Sequence, residues 1–170
     1  MGSEMCIRDR NKTLAAGNKL YDHMEKTIKM SPWAKRAGNI ESAEDFLSAY
    51  SKQRYAFIWW ITPAIDRVSE IRYRGKAFYD AVLTILAVKR WELDKRQLPD
   101  SLEQLKAEGY LKELPDDPYG EGLLTYTRRN GDFVLYSLAD DFDDDAGKQN
   151  PKDAWGRGKE GGDRVFWPVE

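Results

Sequence analysis

The sequence contains one cysteine, Cys6, and one histidine, His23, in 170 residues. A lone cysteine closes no disulfide within the chain and builds no zinc cluster. His23 stands in a polar stretch with no partner signature and reads as a surface residue rather than a general base. The chain also lacks a Gly-x-x-x-x-Gly-Lys-Ser/Thr loop, a Gly-x-Ser-x-Gly elbow and a His-Glu-x-x-His pair. That takes away P-loop phosphate binding, the nucleophile of α/β-hydrolases and the zinc site of metalloproteases. Long apolar runs are missing too. The densest, Tyr55 to Ile61 (YAFIWWI), lies between Arg54 and Pro63. It falls well short of the roughly 18 residues a membrane helix needs and reads as a segment buried in a core.

Basic charge is scarce in the C-terminal part. Residues 97–170 carry nine Lys/Arg against seventeen Asp/Glu, whereas residues 11–64 and 65–96 each carry eight against five. Nucleic acid is thereby excluded as a partner of the C-terminal part, because phosphate contacts need clustered Lys and Arg. Metal cations or polycations are the partners its charge suits. With 41% hydrophobic and 33% charged residues, the chain can bury one sizeable core, or one core plus a helical arm.

Residues Met1 to Arg10, MGSEMCIRDR, resemble the translation of a transposon adapter used to prepare sequencing libraries, and are set aside as an artefact. On that reading the natural chain begins upstream of Asn11. The remaining 160 residues (170 minus 10) hold no thiol, which excludes a thiol enzyme.

Along the rest of the chain, Leu14, Leu20/Tyr21, Met24 and Ile28 recur at helical spacing, predicting an amphipathic helix within residues 11–30 that Pro32 ends. Ser42, followed by Glu44 and Asp45, supplies a cap and first-turn carboxylates for a second helix running to about Ile61, where Thr62-Pro63 breaks or kinks it. Apolar residues from Ile65 to Leu86 then recur every three or four positions, predicting a long helix to about Lys95. Gly75 inside it marks either a close backbone approach or a tolerated surface position. These segments define a helical arm, residues 11–64, and a spine helix, residues 65–96. Beyond Arg96 the elements shorten. Leu98-Pro99-Asp100-Ser101-Leu102-Glu103 reads as a helix start with Asp100 and Glu103 as a capping box, and Gly109 as its left-handed stop. Two β-rich runs, Leu123 to Arg128 and Phe133 to Leu138, flank Asn130-Gly131, a strong hairpin signal. A short strand, Arg164 to Trp167, follows a long irregular stretch from Ala139 to Asp163, a length that calls for a functional or disorder explanation.

This order of elements (a long helix, then QLPDSLEQL, GYLKELPDDPYG, LTYTRRNGDFVLYSLADDFDDDAG and GGDRVF) resembles the C-terminal globular region of the major pseudopilin of type II secretion systems. It resembles still more closely a group of bacterial proteins that end in a similar module. The matching positions are Leu98, Pro99, Ser101, Leu102, Leu105, Leu114, Pro115, Asp117, Pro118, Tyr119 and Gly120, and the resemblance covers roughly residues 65–170. It implies an α+β fold in which a spine helix packs on a small antiparallel sheet. An authentic pseudopilin carries its membrane-embedding segment at the head of the spine, whereas residues 11–64 here are charged. The expectation is therefore a borrowed module at the end of a larger extracytoplasmic protein, anchored to a membrane through an upstream segment.

The resemblance also implies calcium in the loop after the second strand, with Asp141, Asp144, Asp145 and Asp163 as ligands. The residues point the same way by themselves. Calcium takes six to eight hard oxygens, and the carboxylates crowded into Asp140 to Asp145, with only Phe142 between them, repel one another in a folded loop that lacks a cation. A solvated acidic loop without a specific ion is the alternative. An EF-hand is rejected, because Ala146 stands where that motif requires Gly and Lys152 where it requires Glu.

Two rival functions remain. A metal-dependent hydrolase could use Asp116 and Asp117, or the acidic loop, as paired carboxylates, although turn chemistry accounts for the first pair and cation binding for the second. A carbohydrate- or peptide-binding domain could use Trp59, Trp60, Trp91, Trp155 and Trp167, most of which read as core. Trp155, in a charged loop, either packs over the metal site or faces a partner. The reading preferred from sequence is a non-enzymatic structural or interaction module that meets a protein partner or a second copy of itself, with no catalytic residues and with calcium as a stabilising ion.

Overall fold

The computed structural model describes residues 2–152, 154–155 and 161–168, with side chains from residue 10 onward. The side chain of Cys6, Met1 at the head of the leader set aside above, and residues 156–160 of the acidic loop lie outside this description. The chain is α+β: five α-helices, one short 3₁₀ turn and a three-stranded antiparallel sheet among the described residues. It divides into two compact units, Met1–Arg72 and Tyr73–Glu170, so the expected boundary at 64/65 falls inside the first unit.

The first unit holds α1 (Gly2–Thr27), α2 (Pro32–Ala37), α3 (Ala43–Ser48) and the opening turns of α4 (Ala56–Lys95). Pro32 begins α2 rather than merely ending α1. Its missing amide is one of the unpaired donors of a first turn in any case, and the Ser31 hydroxyl caps Ala34 N–H at 3.1 Å. Ser42 caps as expected, accepting from Asp45 N–H at 3.0 Å. The second helix nevertheless stops at Ser48 instead of continuing to Ile61. Packing overrides propensity here. Phe46, Tyr50 and Tyr55 form a run of ring contacts at 5.8 and 5.5 Å, and Trp59 Nε1–H donates to the Tyr50 carbonyl at 3.2 Å, folding the chain back between α3 and α4.

Pro63 does not break α4, which runs through it. An interior proline costs about 3 kcal/mol, and the residues beside it, Ile58 and Thr62, are buried. The Thr62 hydroxyl donates to the Ile58 carbonyl at 2.8 Å. The YAFIWWI run is not a buried segment. Only Ile58 is buried, while Phe57 and Trp60 are 68% and 77% exposed, since a helix can turn only one stripe inward. Trp60 is thereby a surface residue, not core. His23 is not an isolated surface residue either, stacking on Phe46 at 5.0 Å and meeting the Glu41 carbonyl at 3.0 Å.

The second unit holds the rest of α4, α5 (Leu102–Ala107), β1 (Thr125–Arg129), β2 (Asp132–Ser137) and β3 (Arg164–Trp167). Its core sets the small residues Ala77 and Ala81 and the larger Val88 and Trp91 of α4 against Phe133, Leu135 and Phe166 of the sheet. Small helical side chains let bulky sheet residues close on the helix at interior packing density. The α5 cap is Ser101, one residue later than expected, and Gln104 rather than Glu103 reaches back to Asp100 N–H at 2.8 Å. At the other end, Gly109 adopts φ +79°, with Tyr110 N–H to Leu105 C=O at 2.8 Å and Gly109 N–H to Lys106 C=O at 3.1 Å. These are the paired bonds of a Schellman end. Asn130 (φ 53°) and Gly131 (φ 83°) turn the hairpin between Arg129 and Asp132, as two left-handed positions require.

The sheet order is β1-β2-β3. Across the consecutive residues Leu135 and Tyr136, β3 advances from Trp167 to Val165, leaving Phe166 as a bulge. This lets two neighbouring aromatics, Phe166 and Trp167, both pack on the core cluster. No helix among the described residues is long and apolar enough to cross a membrane.

Gly75 is exposed, and a Cβ added there meets nothing within 4 Å, so the close-approach reading is overturned. Gly75→Ala is expected to stabilise the protein by about 1 kcal/mol, raising the thermal midpoint by about 2–4 °C in a calorimetric scan.

Candidate functional site

The site is built on the end of β2, where a buried carboxylate fixes the direction of the departing chain. Asp117 accepts from the Ser137 hydroxyl at 2.6 Å, Tyr119 N–H at 2.9 Å and Leu138 N–H at 3.0 Å. Burial pushes its carboxyl above the usual range and these three donors pull it back. Asp116, by contrast, is exposed and bridges to Leu123. The two side chains therefore lie in different environments.

Beyond Leu138 the chain makes a 3₁₀ turn over Ala139–Asp141. Asp140 forms an ion pair with Arg74 of α4, in which both side chains are largely buried, and its N–H donates to the Trp155 carbonyl at 3.0 Å. Trp155 is half-buried rather than displayed. Its ring lies 5.4 Å from Tyr119 and 6.4 Å from Phe166, with the Arg74 guanidinium 5.0 Å from its centre.

The acidic stretch is irregular but ordered by its own side chains. Asp141 accepts from Asp143 N–H at 3.2 Å and Gly162 N–H at 2.5 Å. Asp144 accepts from Ala146 N–H and the Tyr136 hydroxyl, each at 2.9 Å. Asn150 ties the two limbs of the loop together, donating to the Gly161 carbonyl at 2.8 Å. Ala139, Phe142 and Ala146 all hold positive φ, between 56° and 62°, a conformation that L-residues adopt only when their surroundings enforce it. Gly161 and Gly162 are required by space. A Cβ on Gly161 would strike the Asp141 carboxylate, and one on Gly162 would lie 2.7 Å from Asn150 N.

Of the four residues expected to bind a metal, Asp163 is fully buried, Asp141 half-buried, and Asp144 and Asp145 exposed. Asp163 Oδ2 accepts from Gly147 N–H at 2.7 Å, while Oδ1 is buried with no hydrogen-bond partner among the described residues. Burial first, and then the charges of Asp144, Asp145 and Asp141, push the Asp163 carboxyl up to about 7 against the pull of Gly147. The four are therefore close enough to feel one another. Even so, no group of three Asp, Glu, His or Cys side chains converges at metal-binding distance among the described residues. The density of aspartate made the acidic loop legible. Arg74, Asn150 and the Ser137 partner of Asp117 carry no local signal, since each acts across a long sequence separation.

No family model, no curated protein and no solved structure matches this chain.

Two predictions follow from these carboxylates. Asp117→Ala strands three buried donors and is expected to destabilise the second unit by about 3 kcal/mol or more, read as a lowered denaturant midpoint. For Asp163 the folded pKa lies above the ordinary value of 3.8. The folded chain thus keeps a proton that the unfolded chain has released, and this residue withdraws stability as pH rises from about 4 to 7. In excess chelator, Asp163→Asn is expected to melt higher than wild type at pH 8 and to show a flatter pH profile across that window.

Proposed function

We propose that residues 65–170 form a non-enzymatic structural or interaction module of the type II secretion pseudopilin kind, in which calcium orders the acidic loop. On this reading the module belongs to a larger extracytoplasmic protein anchored to a membrane upstream, and it meets a protein partner or another copy of itself. The observation that carries the metal part is Asp163. A fully buried carboxylate with one oxygen unpartnered among the described residues, raised first by burial and further by three neighbouring aspartates, is a poor arrangement unless positive charge accompanies it.

The donor chemistry fits calcium. Every candidate side chain is a hard carboxylate, and calcium accepts irregular shells of carboxylate, carbonyl and water oxygens. Asp141, Asp144, Asp145 and Asp163 are the residues that would hold the ion, whose charge would offset their mutual repulsion and help keep the strained loop ordered. Transition metals would prefer nitrogen or sulfur ligands, and His23, the one histidine, lies in the first unit. The family part rests on the succession of elements in residues 65–170. Within it, Pro115, Asp117, Pro118 and Tyr119 are all buried, which gives the LPDDPYG segment a packing role.

Thermal unfolding with calcium and then with excess chelator tests the metal. An ion that binds only the folded chain at a hundred times its Kd stabilises by about 2.7 kcal/mol, so a rise of several degrees is expected, lost in Asp141→Asn combined with Asp145→Asn. An unchanged midpoint in millimolar calcium would sink this reading of the loop.

A further inference from the structure

The C-terminal part is acidic, yet one groove in the second unit has no acidic residue in its lining among the described residues. It opens beside β3 and encloses about 760 Å³, within the range of roughly 300–1,000 Å³ usual for ligand sites. Phe78, Val82 and Ile85 of α4 line it on one side, and residues 146–149 on the other. Phe78 and Val82 are 52% and 39% exposed, so apolar surface there is open to solvent. Val165, Phe166 and Trp167 of β3 complete the apolar lining.

Its charged residues are Arg129, Lys148 and Arg164, all of one sign. Arg164 makes no ion pair among the described residues. Its guanidinium lies 5.8 and 5.7 Å from the ring centres of Trp155 and Phe166, and its Nε is buried without an acceptor among the described residues. Arg129 spends one donor on the Ala146 carbonyl at 3.3 Å. Lys148 is exposed, and its ammonium likewise has no carboxylate partner among the described residues. Lys148 and Arg164 come to the same end of β3, where Asp163 N–H donates to the Lys148 carbonyl at 2.9 Å, while Arg129 lines the groove from the hairpin end. Cations beside apolar surface, in a part of the chain where acids outnumber bases seventeen to nine, match a ligand that is both apolar and anionic.

The outer edge of β3, unpaired among the described residues, invites comparison with sheets that accept an added peptide strand. The bulge at Phe166 and Pro168, which has no amide to donate, interrupt that edge as natural sheets do to prevent such pairing. We propose instead that the groove binds an amphiphilic carboxylate, its head between Lys148 and Arg164 and its tail along Phe78, Val82 and Ile85. Charge-assisted hydrogen bonds would hold the head, and burial of the tail would supply the remaining affinity. The inference is independent of the metal reading.

Isothermal titration of the full chain in one calcium-containing buffer tests it, using decanoate below its micelle concentration, with decanol and decyltrimethylammonium as controls. Decanoate is expected to bind one to one, at least about tenfold tighter than either control. Lys148→Gln combined with Arg164→Gln should weaken decanoate about tenfold while decanol changes little, and Val82→Asp should weaken both. If the double variant unfolds by circular dichroism, Lys148→Gln alone, at an exposed position, is still expected to weaken decanoate severalfold. Equal binding of decyltrimethylammonium would overturn the proposal. So would unchanged decanoate affinity in the folded charge variants, or binding of an acidic extended peptide where decanoate does not bind.

Discussion

The carboxylate of Asp117 is the joint on which the second unit turns. It lies in an irregular segment between α5 and the hairpin, yet it satisfies a side-chain hydroxyl and a backbone amide at the far end of β2. A buried charge is tolerable only where hydrogen bonds replace the water it has lost, and three donors do so here. Because Leu138 N–H is held in this way, the chain leaves the sheet in one direction. It enters the 3₁₀ turn, sets Asp140 against Arg74, and carries the acidic stretch over Trp155. The rigid and the irregular halves of the unit are thus joined through polar contacts as well as apolar packing.

Two charge distributions then sit side by side. Asp141, Asp144, Asp145 and Asp163 concentrate negative charge, with the most buried member lacking a partner on one oxygen. Close by in sequence, Lys148 and Arg164 border a groove with no acid in its lining among the described residues. The loop that contributes to both also carries three non-glycine residues in the left-handed region. Uncompensated charge and conformational strain in one segment place it at the low-stability end of the molecule, where a bound ion or ligand has most influence on order.

Local chemistry was legible in the sequence and remote chemistry was not. Asn130-Gly131 fixed the hairpin, Gly109 the end of α5, and the β-branched and aromatic run at 164–167 the last strand, because each signal lies within a few residues of its effect. The helix boundaries of the first unit were misplaced where contacts between Phe46, Tyr50, Tyr55 and Trp59 outweighed propensity, and where α4 absorbed Pro63. Composition alone could not say that YAFIWWI would turn most of its apolar surface outward. At the site, the cluster of aspartates was visible, but its ordering was not. Arg74 and Asp140 are 66 residues apart, and Asn150 and the Gly161-Gly162 pair matter only once the loop has closed on itself.

The register of β2 with β3 pairs Ser137 with Arg164, so the two ends of the intervening excursion are clamped as cross-strand neighbours. Closing a flexible loop costs only about 0.6 kcal/mol more for each doubling of its length. Descendants of this chain could therefore change the length of the stretch between Phe142 and Gly161 at little cost in chain entropy, so long as Trp155 keeps its place against the core. The same scaffold can present different chemistry at this position over evolutionary time, while Asp117, Ser137 and the bulge at Phe166 hold the frame constant.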